Sequence, residues 1–312
     1  MTLSEIIAQW ASELSWDHLG SDAQAASQRL VIDALAVGLA GRQQPGMAEI
    51  SKTIHRFAGH GNDQPCRTLG GLPLDSPLDA AMLNGSAIHA LDLDDMHLPS
   101  ALHVNSVVLP AALATAQRER ADRSTFWSAF VAGVETACRI GLAYNQRRSG
   151  TAGRGFLPTS VVGGFGGAVA AGRVLGLDAH QLADAIGIVY TQTSGNRQSL
   201  FEAALTKRMQ PGLAAQAAVR SAYLAADGCN GPRQALEGEA GLFQLYLGAQ
   251  PPAVIEPRTE ALEIERISYK RYPGCGAGHT MYQAAVDLAS EHQLDPEAVA
   301  QVALYFGPHG NG

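Results

Sequence analysis

The sequence predicts a mainly α protein, in which a large all-helical domain (residues 1–250) is followed by the start of a smaller α+β domain (residues 259–312). Apolar residues recur at three- and four-residue spacings along most of the chain, as they do in buried helices. Ala and Gly are frequent on the apolar faces, and such small residues let helix axes approach closely. The stretch Gln250-Pro251-Pro252-Ala253 marks the boundary between the two parts.

Spacing and capping residues locate the helices in chain order. Residues 4–14 form an amphipathic pattern, and Ser21-Asp22 can cap a second helix that runs to Leu39. Asp75-Ser76-Pro77 places a cap beside a proline at a first helical turn, which predicts a helix over 78–91. Further helices are predicted over residues 107–119, 124–144, 160–175, 179–191 and 212–226.

The pattern changes after residue 260. Residues 262–267, Leu-Glu-Ile-Glu-Arg-Ile, alternate with period two, as a strand does. Residues 280–292 return to helical spacing, and 299–306 are apolar enough for another strand. Two strands and one helix make a marginal domain by themselves. We therefore expect the second domain to be incomplete and the chain to be shortened at its C-terminus.

Composition excludes several classes of protein. The 312 residues carry a formal net charge of −7, and only three of the 22 basic residues are lysine. An acidic chain without a basic run is a poor candidate for nucleic-acid binding. No charge-free apolar stretch reaches the roughly 18 residues that a membrane span needs, and the N-terminus lacks the basic region of a signal peptide. We expect a cytoplasmic protein with neither nucleic acid nor membrane as a partner.

The cysteines and the longest glycine run are predicted to be structural. The four cysteines are far apart and form no metal-ligand spacing, which predicts free, buried thiols: Cys66, Cys138, Cys229 and Cys275. A catalytic thiol at Cys275, four residues before His279, is the alternative. Gly163-Gly164-Phe165-Gly166-Gly167 lacks the GxGxxG pattern and a preceding strand, so it predicts close helix packing and not a dinucleotide site.

The densest polar cluster follows the helix predicted over 78–91. It holds three imidazoles and three carboxylates: His89, His97, His103, Asp92, Asp94 and Asp95. Crowded carboxylates perturb one another's pKa values, which is typical of functional sites. A solvated helix end with a polar loop explains the same residues, and a metal site is a further alternative because Asp and His are metal ligands. The spacing matches no strong ligand signature, so no metal is predicted.

The rarity of lysine draws attention to Lys207 and Lys270. In a chain that uses arginine almost everywhere, a lysine can mark a position that needs a compact, deprotonatable amine. Lys207 lies just before the helix predicted to start at Gly212, where an amine and helix N–H groups could together receive a carboxylate. Chance placement of three lysines is the alternative.

Several ordered blocks resemble the MmgE/PrpD family, which includes 2-methylcitrate dehydratase, cis-aconitate decarboxylase and iminodisuccinate epimerase. The blocks are Asn84-Gly85-Ser86-Ala87-Ile88-His89-Ala90-Leu91-Asp92-Leu93-Asp94-Asp95, Val108-Leu109-Pro110-Ala111-Ala112-Leu113-Ala114, Gly155-Phe156-Leu157-Pro158-Thr159, Ala171-Gly172-Arg173-Val174-Leu175-Gly176-Leu177, Lys207 with Gly212-Leu213-Ala214-Ala215, and Lys270-Arg271-Tyr272-Pro273 with His279. The resemblance implies a helical domain with an α+β lid, an active site in the cleft between them, no metal or organic cofactor, and a homodimer.

The resemblance also implies the site. Its catalytic residues are expected to be Asp92, His103, Lys207 and Lys270. The two lysines would hold substrate carboxylates whose charge grows in an enolate-like transition state. His103 would be the general acid or base, and Asp92 would orient or tune it. Five further residues are expected to bind the substrate: His97, Thr159, Arg208, Tyr272 and His279.

The chain departs from the family pattern at three positions of this site. Met96 stands where the family has a threonine, and Leu157 and Gln210 stand where it has histidines. The predicted site therefore keeps its cationic residues but loses a hydroxyl and an imidazole. This favours an altered reaction or a degenerate protein over ordinary methylcitrate dehydration.

Three functions remain open from the sequence. The first is a lyase that abstracts a proton next to a carboxylate of a small di- or tricarboxylate, with loss of water or CO2. The second is an epimerase or isomerase of an (imino)dicarboxylate, and the third is a non-catalytic family member. An incomplete lid would leave apolar helix faces uncovered, so we expect a homodimer, or a separate chain that completes the lid.

Overall fold

A computed structural model describes residues 1–58, 66–149, 153–257 and 261–305 of the chain. Two compact units are present, Met1–Lys270 and Arg271–Gly312. The mainly α class is confirmed, because helices dominate and the sheet within the described residues is one antiparallel pair, β1 (Cys66–Arg67) with β2 (Pro73–Leu74). The unit boundary follows Lys270, later than the boundary predicted between residues 250 and 259, and the division into domains stays a prediction.

The first unit is built almost entirely of helices. They are α1 (Leu3–Glu13), α2 (Ser21–Gly41), α3 (Met47–Phe57), α4 (Pro77–His89), α5 (Val108–Glu119), α6 (Arg123–Arg147), α7 (Pro158–Val174), α8 (Ala179–Tyr190), α9 (Gln198–Phe201), α10 (Thr206–Ala226) and α11 (Leu242–Leu247). None of the helices in the described ranges is long and apolar enough to cross a membrane.

Side-chain caps begin α1 and α4, whereas the Ser21-Asp22 cap predicted for α2 is wrong, because the N-cap residue of α2 is Gly20 and no side chain caps it. The Thr2 hydroxyl accepts the Glu5 backbone N–H, and the Glu5 carboxylate accepts the Thr2 N–H, which forms a capping box at α1. Ser76 caps α4 in the predicted way, with Pro77 in the first turn. These local hydrogen bonds satisfy backbone donors that a helix leaves free at its N-terminus.

Helix α7 lies at the centre of the first unit, and nearly all of its residues are buried. It packs against α5, α6, α8 and α10. A β-carbon added at Gly133 of α6 would lie 2.6 Å from the Gly166 carbonyl oxygen of α7, closer than side chains tolerate. The predicted close packing around the glycine run is confirmed.

Four helices differ from the prediction: the short α9 and α11 were not predicted, and α3 and α10 differ for identifiable reasons. Helix α3 was not predicted, since only Met47 and Ile54 of its eleven residues are buried and the apolar signal is short. Helix α10 was predicted to start at Gly212, yet it starts at Thr206 and contains Pro211. Pro211 lies in the second turn, where a proline removes one backbone hydrogen bond, so its position in the sequence indicates a helix boundary that the structure does not have. Lys207 consequently lies in the first turn of α10 and not ahead of it.

The two predicted strands are wrong. Residues 262–267 contain the 3-10 turn Glu263–Arg266, because Glu263 and Ile264 are both buried and a strand would point them to opposite faces. Ser268 then forms one antiparallel bridge to Met96. Residues 299–305 adopt no regular structure, since no strand of the described chain lies beside them to share backbone hydrogen bonds. Residue 306 lies outside the described residues.

The second unit contains α12 (His279–Glu291), which confirms the helix predicted over 280–292. Tyr272 donates a hydrogen bond of 2.8 Å from its hydroxyl to the Gln283 side chain and meets His279 and Tyr282 edge-on. All four cysteines are free, as predicted. The predicted burial is correct for Cys66 and Cys138 and wrong for Cys229 and Cys275, which are exposed.

Candidate functional site

The candidate site forms where α4 ends and the following loop turns back beneath it. Asp92 adopts a left-handed backbone with φ 52°, a conformation that aspartate tolerates better than most residues. The buried Asp95 carboxylate accepts the backbone N–H groups of Val104 and Asn105, each at 3.1 Å. These two hydrogen bonds fold the loop so that His103 is brought back beside the end of α4.

Two ammonium groups converge on Asp92. Lys270 Nζ lies 2.7 Å from Asp92 Oδ1 and 2.8 Å from the Asp92 carbonyl oxygen, and Lys207 Nζ lies 2.9 Å from Asp92 Oδ2. Burial raises the pKa of Asp92, but Lys207, His89 and Lys270 lower it by more, to well below its usual range. The carboxylate is therefore ionised and bridges two cations.

His103 lies beside this ion pair with a defined proton position. Its Nδ1 is 2.9 Å from the Asp95 carbonyl oxygen, and since a carbonyl only accepts, Nδ1 carries the proton. Nε2 is then the unprotonated nitrogen, 3.9 Å from Asp92 Oδ1. Burial is the main cause that lowers the pKa of His103, to about 4. The imidazole is consequently neutral near pH 7, with its basic nitrogen on the side of Asp92.

A second imidazole and a second carboxylate complete the site. His89 Nδ1 lies 2.8 Å from Asp94 Oδ2, and both side chains are buried. The His89 and His103 rings are 4.9 Å apart between centroids. Burial raises the pKa of Asp94, but the neighbouring His89 and His103 lower it by more, so that the pKa is about 2. Asp94 is thus ionised between two imidazoles.

The structure groups the four predicted catalytic residues, Asp92, His103, Lys207 and Lys270, with one predicted binding residue. Thr159, at the start of α7, accepts the His103 backbone N–H through its hydroxyl at 3.0 Å. Arg208, another predicted binding residue, donates to the Pro45 carbonyl oxygen. Tyr272 and His279 belong to the second unit, and their binding role stays a prediction.

His97 is part of a separate buried network. Its Nε2 lies 3.0 Å from Glu263 Oε2 and its Nδ1 lies 2.6 Å from Ser100 Oγ. Glu263 also pairs with Arg139, and its backbone N–H donates to Glu135. Both ring nitrogens of His97 are engaged, which leaves neither for a substrate. The network instead anchors the segment that leads to Lys270.

The three departures from the family pattern have structural contacts of their own. Met96 shares two backbone hydrogen bonds with Ser268. Leu157 precedes the first turn of α7 as its N-cap residue. The Gln210 side chain donates to the Asn196 carbonyl oxygen at 3.1 Å and accepts the Asn196 backbone N–H at 2.8 Å. Gln210 therefore ties α10 to the neighbouring loop.

The predicted catalytic and binding residues do not include His89 and Asp94, although both belong to the polar cluster that follows the predicted helix 78–91. The contact between His89 and Asp94 could not be predicted, because α4 ends at His89 and a loop has no regular spacing of side chains. Ligand-type atoms of His89, Asp92, Asp94 and His103 lie within 4.8 Å of one another, a set that could hold a metal ion. The two lysines on Asp92 oppose this, because their positive charge repels a cation at that carboxylate.

Comparison with known proteins identifies the family of the chain. The family model described as MmgE/PrpD N-terminal domain matches residues 5–255. The cis-aconitate decarboxylase-like protein oryM of Aspergillus oryzae is 32% identical over 297 residues, which cover 90% of this chain and 60% of that protein. Cis-aconitate decarboxylases of Aspergillus terreus and Homo sapiens are 30% and 29% identical, with 92% and 95% of this chain and 60% and 62% of their lengths covered. The chain thus spans about 60% of the length of these curated relatives.

Proposed function

The chain belongs to the MmgE/PrpD family, and on this premise we propose that it is a lyase that decarboxylates a small unsaturated tricarboxylate of the cis-aconitate type. The observation that carries the proposal is the convergence of Lys207 and Lys270 on one carboxylate beside His103. Relatives named cis-aconitate decarboxylases support this substrate class.

Both lysines are suited to hold substrate carboxylates. An ammonium has three donors, and Lys270 directs two hydrogen bonds at Asp92 while Lys207 makes a single contact with it. Lys207 is 19% exposed and Lys270 is 3% exposed. An incoming carboxylate meets Lys207 first. Asp92 offsets one of the two positive charges, and the other remains to attract the substrate.

In the reaction, the bond between one carboxylate carbon and its neighbour breaks, and CO2 leaves. The electron pair stays on the substrate as an enolate-like anion spread over a remaining carboxylate, which the two ammonium groups stabilise. A proton then bonds to carbon, so that one tricarboxylate and one proton give one dicarboxylate and CO2. His103 delivers this proton from Nε2 and recovers it from water.

His103 must be protonated to act as this acid, and the bound substrate favours that form. In the free protein, burial keeps the pKa of His103 at about 4. Substrate carboxylates add negative charge beside the ring, which raises the pKa of an imidazole. The tricarboxylate therefore helps to charge the residue that completes its own turnover.

One observation favours the alternative of dehydration or epimerisation. In the absence of substrate His103 is neutral with an unprotonated Nε2, which is the form of a general base. A base at this position can abstract a proton next to a carboxylate, after which water leaves or the proton returns to the other face. The product distinguishes the reactions, since epimerisation changes no mass and exchanges a proton with solvent.

The test is incubation of the purified protein with cis-aconitate, methylcitrate and an aminated dicarboxylate, with products identified by mass spectrometry and NMR. Decarboxylation predicts release of CO2 from cis-aconitate, and Lys207→Gln and Lys270→Gln should abolish it. Lys52→Gln is the matched control, because Lys52 is the remaining lysine and lies exposed on α3. Absence of turnover with all three acids would favour the non-catalytic alternative.

The proposal includes self-association. Large apolar side chains are exposed on the first unit, including Ile32 at 66%, Phe57 at 80% and Phe201 at 73%. Exposed apolar area of this kind marks interfaces. A homodimer, or a second chain that completes a lid, would cover part of it. Analytical ultracentrifugation that finds only a monomer would contradict the homodimer.

A further inference from the structure

We propose that Asp94 is a positioning residue for His103, which fixes the proton on Nδ1 and so directs the basic Nε2 toward the substrate side of the ring. His89 in turn holds Asp94. This inference rests on the proposed role of His103 and adds a carboxylate that the family resemblance did not single out.

The geometry places Asp94 at one edge of the His103 ring and Asp92 at the other. Asp94 Oδ1 is 3.5 Å from Nδ1, and Asp92 Oδ1 is 3.9 Å from Nε2. Asp94 is fully buried, and its Oδ1 makes no hydrogen bond with any described residue. The only polar hydrogen of His103 that this oxygen approaches is the one on Nδ1, which the Asp95 carbonyl also accepts.

Asp92 was expected to orient His103, but its contacts argue against that role. Both carboxylate oxygens of Asp92 are bound by ammonium groups, Oδ1 by Lys270 and Oδ2 by Lys207. It also lies on the side of the ring where the substrate is expected. The Asp94 carboxylate faces the opposite edge and is free of lysine contacts within 4.0 Å. Orientation of the imidazole therefore falls to Asp94 and to the Asp95 carbonyl.

Asp94 also stabilises the charged form of His103. When Nε2 takes a proton, Nδ1 keeps its own, and the imidazolium faces a carboxylate in a buried setting where charges interact strongly. The groups that face His103 are Asp94 and Asp92, which favour its charged form, and His89 and Lys270, which oppose it. No proton moves to Asp94, whose own pKa is held near 2.

His89 supports this arrangement from behind. Its Nδ1 is 2.8 Å from Asp94 Oδ2, and an ionised carboxylate accepts only, so the His89 proton lies on Nδ1. The hydrogen bond fixes the rotation of the Asp94 carboxylate and leaves Oδ1 aimed at His103. Loss of His89 should therefore act in the same direction as loss of Asp94, with a smaller effect.

The first test needs no variant. In protein labelled with 15N-histidine, the His103 resonance, assigned by its absence in His103→Gln, reports which ring nitrogen is protonated at neutral pH. A proton on Nδ1 is expected, and a proton on Nε2 would overturn the proposal. A proton on Nε2 would overturn the proposal even if Asp94 variants fail to fold, and the measurement does not depend on any turnover. Because the Asp95 carbonyl also holds the Nδ1 proton, the contribution of Asp94 is measured with the variant below.

The second test uses Asp94→Asn, which keeps the shape and removes the charge. The pKa of His103, followed by the same NMR signal, should fall. With cis-aconitate, kcat should fall about 10- to 100-fold while KM changes less than about twofold, since the protonated imidazole loses its interaction with a buried negative charge. Asp94→Glu should recover part of kcat. Asp184→Asn is the control, because Asp184 is also buried and pairs with a histidine, His180, outside the site.

The outcomes separate this inference from the proposed function. An unchanged His103 titration and wild-type kcat in Asp94→Asn would refute the positioning role. If the protein turns over none of the acids, the proposed function fails. The NMR titration of Asp94→Asn still supports or refutes the contact between Asp94 and His103.

Discussion

Lys270 binds Asp92 twice, at 2.7 Å through the carboxylate and at 2.8 Å through the carbonyl oxygen, across 178 positions of sequence. The second contact matters because Asp92 has a left-handed backbone that lies outside the preferred region for its type. One ammonium group therefore supplies charge to the site and holds the turn that forms it.

Replacement of Lys270 by Met should lower both activity and stability. The buried ammonium is lost together with two charge-assisted hydrogen bonds, which contribute about 1.5–3 kcal/mol to the free energy of unfolding. Urea denaturation measures this loss, and Lys52→Met, at an exposed lysine, provides the comparison. Wild-type stability of Lys270→Met would show that the Asp92 turn does not depend on this contact.

The free energy of unfolding should decrease as the pH falls from 6.5 to 4, in part because of His103. Burial is the main cause that lowers the pKa of His103 from 6.5 to about 4, so in this range the unfolded chain binds a proton that the folded chain does not. This group contributes a slope of at most about 1.4 kcal/mol per pH unit. His103→Gln should flatten the profile, whereas His180→Gln, at an exposed histidine, should not. Parallel profiles for wild type and His103→Gln would contradict the depressed pKa.

Glu263 should be important for stability although it takes no part in the chemistry. It pairs with His97 at 3.0 Å and with Arg139 at 3.3 Å inside the first unit. Glu263→Ala leaves the buried Nε2 of His97 without its partner and removes one of the two carboxylates beside Arg139, which keeps Glu135 at 2.7 Å. The loss should cost about 3 kcal/mol. Thermal unfolding measures the effect, and Glu265→Ala, two positions away on an exposed side chain, is the control. Equal melting temperatures for the two variants would argue against the network.

The close approach of α6 and α7 predicts that Gly133→Ala destabilises the fold. The added β-carbon would meet the Gly166 carbonyl oxygen at 2.6 Å, and backbone at this position cannot move without shifting a helix. Overpacking of this kind costs about 1–3 kcal/mol. Gly20→Ala is the comparison, since nothing lies within 4 Å of its β-carbon position. Similar unfolding free energies for the two variants would show that the helices separate easily.

Much of the helical framework could be predicted because its determinants are local. The Thr2 and Ser76 caps, and the apolar spacing within each helix, act over three or four residues and can be read directly from the sequence. The period-two alternation over residues 262–267 led to a wrong strand prediction because it, too, is only a local pattern. It resembles a strand locally, but Glu263 is buried by Arg139 and His97, which are distant in sequence.

The sequence by itself determined the helical class, the family resemblance and the identity of the two lysines, since these depend on residue types and on short spacings. Only the tertiary structure decided that Lys207 and Lys270 meet on Asp92, that His97 belongs to a buried network and that Asp94 lies against His103. Those relations depend on where a left-handed residue and two backbone hydrogen bonds turn one loop. Side chains far apart in the sequence come into contact through the packing of whole helices, which no local pattern encodes.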